Sequence, residues 1–140
     1  METTKKKRGF GNRILVLLVT PIIASLIIPV ILLDVWAELY HRICFPIYKI
    51  ELVQRSQYIM VADRLRLPYL NAVQKIGCAY CGYVNGLMRY WKEIVSRTEK
   101  HWCPFRHAMN AKFKEAEHQQ RMNFAEYGDE KAFKDKYMNS

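Results

Sequence analysis

Acidic side chains are scarce in this sequence. Against 22 Lys and Arg there are 13 Asp and Glu in 140 residues, a formal net charge of +9. Paired acid/base carboxylates, a glycine-rich phosphate loop and a nucleophile motif are all missing, so no reaction is marked. An internal repeat and a low-complexity linker are missing too, which leaves neither a repeat array nor a string of domains. The length has room for one modest domain but not for a large enzyme core, since part of it goes to membrane.

What is present begins with a cluster of charge. Residues 1–13 hold Lys5, Lys6, Lys7, Arg8 and Arg13 against Glu2, five minus one, so +4 of the +9 sits in that tail. The cluster abuts an apolar run and therefore reads as attraction to anionic headgroups. No basic helix interleaved with aromatics argues for nucleic acid as a partner. From 14 to 33 the sequence ILVLLVTPIIASLIIPVILL runs 20 residues without a charge. At about 1.5 Å per residue that matches a hydrocarbon core of about 30 Å. It is too long for a signal peptide, and no small-x-small cleavage site follows it. Pro21 and Pro29 each remove a helix hydrogen bond, which leaves two topologies. A kinked single span would put the C-terminal part outside by the positive-inside tendency. A re-entrant hairpin would keep both ends in the cytoplasm, given partners for the exposed backbone at its break.

Residues 34–48 read as an amphipathic helix at the membrane interface. Asp34, Glu38, His41 and Arg42 recur at three- and four-residue spacing, Trp36 and Tyr40 are headgroup anchors, and Pro46 is the stop. His41 reads as a headgroup contact, and Cys44 as a core or lipid-facing thiol. Residues 49–125 form a small helical domain. Its first part, 48–62, alternates enough for one or two short strands or an extended connection. A helix follows with Leu70, Val73 and Ile76 inward, Pro68 in its first turn and Gly77 at its end. A second runs over 84–99 with Leu87, Trp91, Ile94 and Val95 inward. A third, marked by Met109, Phe113 and Ala116, extends to about Asn123. The tail, 126–140, is polar and mobile unless a partner holds it, with Phe133 and Tyr137 as docking points.

Between the first two helices stands the sharpest chemical signal. Cys78 and Cys81 are spaced C-x2-C between Gly77 and Gly82, and Cys103 and His107 are spaced C-x3-H, with Trp102 before Cys103 and Pro104 after it. Together they would supply the Cys3His set that suits structural zinc, with His101 in reserve. Iron or an iron–sulfur cluster would use the same ligands. Two other readings stay open: free thiols acting as small hydrophobes, and a redox-active Cys78/Cys81 pair. Geometry sets a condition on the shared site. A straight helix over 84–99 would part its halves by about 24 Å. Convergence requires that helix to end near Ile94 or Val95, with 96–102 returning extended over about 23 Å.

The same residues carry a resemblance. Ile43-Cys44-Phe45-Pro46-Ile47-Tyr48, Asp63-Arg64, Tyr69-Leu70-Asn71, Cys78-Ala79-Tyr80-Cys81-Gly82-Tyr83-Val84-Asn85-Gly86, Arg97-Thr98-Glu99 and Trp102-Cys103-Pro104 with His107 are similar to a family of small bacterial inner-membrane proteins of uncharacterised function. It covers about residues 34–108. It implies the bacterial inner (plasma) membrane and transfers no activity or ligand. The expectation is thus a mostly α protein, anchored by a Pro-kinked or re-entrant membrane helix, with a small helical Cys/His domain leaning to the cytoplasm. Its expected role is that of an accessory or interaction protein with a membrane-protein partner or a second copy. The rival is a membrane-tethered thiol oxidoreductase using Cys78 and Cys81, and a further reading is a small subunit of a larger membrane enzyme.

Overall fold

The structure, a computed structural model, describes residues 10–138, so Lys5, Lys6, Lys7 and Arg8 lie outside the described residues. It is mostly helical, and among the described residues no strand forms beyond one bridge between Phe105 and Ala125. The chain divides into two compact units, Met1–Glu38 and Leu39–Ser140.

The first unit carries α1 (Phe10–Ser25) and most of the apolar part of α2 (Ile27–Ile47). Proline places the interruption between them. Pro29 has no N–H to give to the carbonyl of Ser25, four residues back, and the helix breaks just there, at Leu26. Leu26 N–H turns back to the Ile23 carbonyl, the Ser25 hydroxyl donates to the Ile22 carbonyl at 2.7 Å, and Val30 N–H to the Leu26 carbonyl resumes the ladder. The stretch Leu17–Ile47, 31 residues, is long and apolar enough to cross a membrane. The expected interfacial helix over 34–48 is not a separate element. Those residues are the C-terminal part of α2, which passes Pro46 by one residue and ends at Ile47.

The second unit is built on α4 (Ala72–Trp102), a single helix of 31 residues. This corrects the expectation of two helices parted by a glycine-rich passage. The start is set by a capping box: Gln74 N–H donates to Asn71 Oδ1 at 2.8 Å, and Asn71 N–H to Gln74 Oε1 at 3.0 Å. Pro68 therefore lies before the helix. Gly77, Gly82 and Gly86 all lie inside it, and at Gly82 and Gly86 the chain needs flatness and not a turn. A Cβ on Gly86 would stand 2.7 Å from the Tyr58 carbonyl oxygen and 2.9 Å from Ile59 Cα. At Gly82 it would stand 3.2 Å from the Met60 carbonyl oxygen. The backbone of 58–60 lies directly on the helix surface, and only glycine leaves space for it.

The connection over 48–61 is an extended strap with one 3-10 turn, Arg55–Gln57, and not a strand. Its alternating pattern finds no ladder; its carbonyls are taken by side chains of α4 instead. Arg89 Nη2 donates to the Tyr58 carbonyl and Arg97 Nη1 to the Glu51 carbonyl, each at 2.8 Å. After the strap, α3 (Ala62–Leu65) packs on α4. Leu87, Tyr90 and Ile94 of α4 close over Phe45 and Val53, all buried. Of the residues expected inward, Val95, Val73 and Ile76 are exposed instead.

Beyond α4 the expected helix from Met109 shrinks to α5 (Glu117–Arg121). The Asn110 carboxamide oxygen accepts from both Lys112 N–H and Phe113 N–H, an Asx turn that competes with helix. The polar tail is docked. It forms α6 (Glu130–Phe133), capped by Asp129 Oδ1 on Ala132 N–H, and then one wider turn, Lys134–Met138. Phe133 meets Phe105 edge-on at 6.0 Å, and the Tyr137 hydroxyl donates to the Asn123 carbonyl at 2.9 Å, where burial pushes the phenol above its ordinary pKa.

The glycines yield a graded test. Gly86→Ala forces backbone apart and should cost about 1–3 kcal/mol. At Gly77, where nothing lies within 4 Å, alanine should gain about 0.5–1 kcal/mol of helix stability. Denaturant unfolding of the two variants in the same detergent measures the difference, and equal effects would contradict the seating of the strap.

Candidate functional site

The four expected metal ligands are set along and beyond one rod. Cys78 and Cys81 stand one turn apart within α4, Cys103 is the residue that ends it, and His107 follows in the loop, where its ring meets Phe113 at 5.2 Å. With α4 unbroken, the 22 residues from Cys81 to Cys103 span about 33 Å. A shared zinc would need sulfurs within about 4 Å, given Zn–S near 2.3 Å. The return of 96–102 on which convergence depended does not occur, because Ser96 and Thr98 are in the helix and their hydroxyls donate back to the Lys92 and Ile94 carbonyls. The four residues therefore do not converge on one point within one chain. His101 does not restore convergence, lying between Tyr48 and Trp102 at ring distances of 5.6 and 5.2 Å. Among the described residues no group of three or more His, Cys, Asp or Glu stands together.

Cys44, Cys78, Cys81 and Cys103 are all free. A first helical turn, where unbonded N–H groups activate a thiolate, is one setting that would serve the dithiol reading. Cys78 is instead the seventh residue of α4, behind the capping box.

The structure brings together a different polar set. His41, on the α2 segment that belongs to the second unit, is only 3% exposed. Its Nε2 accepts from Val53 N–H at 2.9 Å, and its Nδ1 lies 3.0 Å from the Tyr90 hydroxyl. A nitrogen that accepts from a backbone amide carries no proton, so the ring is neutral and the proton sits on Nδ1, donated to Tyr90. This bond ties helix, strap and α4 at one point. Around it Phe45 meets the imidazole edge-on at 4.7 Å, and the Arg55 guanidinium lies 5.6 Å over the Tyr90 ring. Alongside, Tyr40 and Thr98 share a hydroxyl–hydroxyl bond of 2.9 Å. Sequence reasoning sent His41 to the headgroups because it stood beside Arg42. The available signal was its i, i+4 spacing to Phe45, which places both on one face.

A second polar knot fastens α5. The two Glu99 carboxylate oxygens are taken by His118 Nε2 and Gln119 Nε2, both on buried residues. Nearby, Lys92 Nζ donates to Glu117 at 3.3 Å and holds that carboxyl below its ordinary pKa. Arg106 bridges Glu115 and Glu126 at 3.4 and 2.9 Å, closing the loop after α4. An open groove of about 390 Å3 runs between the strap and α4, and three of the charges that line it are engaged with each other: Arg97 is paired with Glu93 at 3.0 Å and Glu51 at 3.5 Å. No nucleophile–base pair is assembled by any of these contacts, and their chemistry is that of clamps.

Comparison with protein-family models, with curated proteins and with solved structures finds no match for the chain.

The histidine knot predicts that Tyr90→Phe, which removes the hydroxyl bonded to the buried Nδ1, costs about 1–3 kcal/mol. Chemical denaturation checks it; a change under about 0.5 kcal/mol, the size of an ordinary surface substitution, would contradict the assigned bond.

Proposed function

We propose that this chain is a membrane-anchored accessory protein of the bacterial inner membrane, presenting a helical interaction unit on the cytoplasmic side to a membrane-protein partner or a second copy. The observation that carries the reading is α2 itself. One helix begins as exposed apolar surface and ends with His41 and Phe45 in the centre of the second unit's core. A segment that is apolar yet contributes little to any core fits a lipid environment.

The break at Leu26 supports the re-entrant form. On one side of it α1 has 16 residues, about 24 Å of rise and short of a hydrocarbon core of about 30 Å. Lys and Arg flank the apolar stretch at both ends, with Arg13 before it and Arg42 and Lys49 after it, which satisfies the positive-inside bias with both ends in the cytoplasm. The four unpaired thiols suit a reducing compartment. The resemblance to small bacterial inner-membrane proteins supports the same location.

Two measurements test this. Alkaline carbonate should leave the chain in the membrane pellet; release into the supernatant would refute the anchor. A membrane-impermeant maleimide should label Cys81 and Cys103, both exposed, only after spheroplasts are lysed. Labelling of intact spheroplasts would refute the cytoplasmic placement.

A further inference from the structure

Where the strap gives way to α4, the surface changes character. Tyr69, Val73 and Ile76 are 76, 79 and 71% exposed, with Met60 and Leu65 beside them in sequence and also uncovered. Val73, Ile76 and Tyr80 continue, at alternating three- and four-residue spacing, the stripe that holds Leu87, Tyr90 and Ile94. One face of α4 is thus core at its C-terminal half and bare at its start.

The charges of this segment are equally distinctive. Residues 60–76 contain Arg64, Arg66 and Lys75 against Asp63, three minus one, or +2. None of those three cations makes an ion pair among the described residues, whereas Lys92, Arg97, Arg106 and Lys134 each do. Unpaired cations interleaved with bare aliphatic side chains and a tyrosine form the composition of a surface that lies in a headgroup layer.

We propose that residues 60–76 dock on anionic lipid headgroups of the membrane that anchors the chain. Arg64, Arg66 and Lys75 engage the phosphates, Tyr69 sits at headgroup level, and Val73 and Ile76 enter the acyl boundary. A second copy is disfavoured as the occupant, because a two-fold contact would set this +2 surface against itself. The inference rests on the anchored reading above, since the tether raises the local lipid concentration enough for a small patch to suffice.

The full-length chain is reconstituted in vesicles of phosphatidylethanolamine with phosphatidylglycerol, or of phosphatidylcholine alone. Its four cysteines are replaced by serine, and a bimane is attached at Val73→Cys or, as an exposed control, Lys112→Cys. In anionic vesicles the label at 73 should be quenched by brominated lipid and shielded from aqueous iodide, and the label at 112 should show the reverse. Combining Arg64→Gln, Arg66→Gln and Lys75→Gln should lower the docked-to-undocked ratio roughly a hundredfold, at about fivefold per charge. Equal iodide quenching at 73 and 112 in anionic vesicles would overturn the proposal. So would shielding that is indifferent to lipid charge and fades as protein is diluted among lipid, which would assign the face to a second copy. A chain that fails to float with either vesicle refutes the anchor itself, and flotation tells that failure from the others.

Discussion

Backbone lies on backbone where the strap crosses α4, and the second unit takes its register from that contact. The carbonyl of Tyr58 comes so close to the helix axis that Gly86 admits it and a methyl group would not. Arg89 then holds the same carbonyl, and Arg97 holds the strap one segment earlier at Glu51. Fixing the strap places Val53 N–H, and Val53 N–H selects the His41 tautomer that donates to Tyr90. A helix that bent or ended at its glycines would give the strap no straight surface to follow.

The histidine knot fixes the C-terminal part of α2 in the core of the second unit. The buried polar group at the joint is satisfied on both ring nitrogens, so its burial adds specificity without leaving an orphaned donor. Apolar residues alone would hold the helix in the core but would not fix its rotation about its own axis. One amide donor and one hydroxyl acceptor do.

Much of the architecture was legible in the sequence. The apolar run, the helical character and Pro29 as a source of the break follow from local chemistry that tertiary contacts do not override. What was misread shares one cause. Gly77, Gly82 and Gly86 bear the composition of a turn, and C-x2-C between glycines bears the composition of a metal knuckle. Glycine reports only that a Cβ is unwelcome; it does not say whether the backbone turns there or another backbone approaches. The strap that approaches lies more than twenty residues upstream, beyond any local pattern. Likewise the helix expected from Met109 was lost to one side chain, Asn110, whose two amide contacts outcompete a weak helical periodicity. Val73 and Ile76 keep the helical periodicity expected of them, but the stretch of the stripe they occupy is bare and not core.

The continuity of α4 decides between a metal-centred domain and a strap-and-rod domain, and one distance measures it. Nitroxide labels on the native Cys81 and Cys103, with Cys44 and Cys78 replaced by serine, should give a dipolar separation of about 33 Å from 22 residues of helical rise. A separation under about 10 Å would mean that the helix ends early and the chain returns. That would restore the thiol spacing of about 4 Å that a shared tetrahedral ion requires.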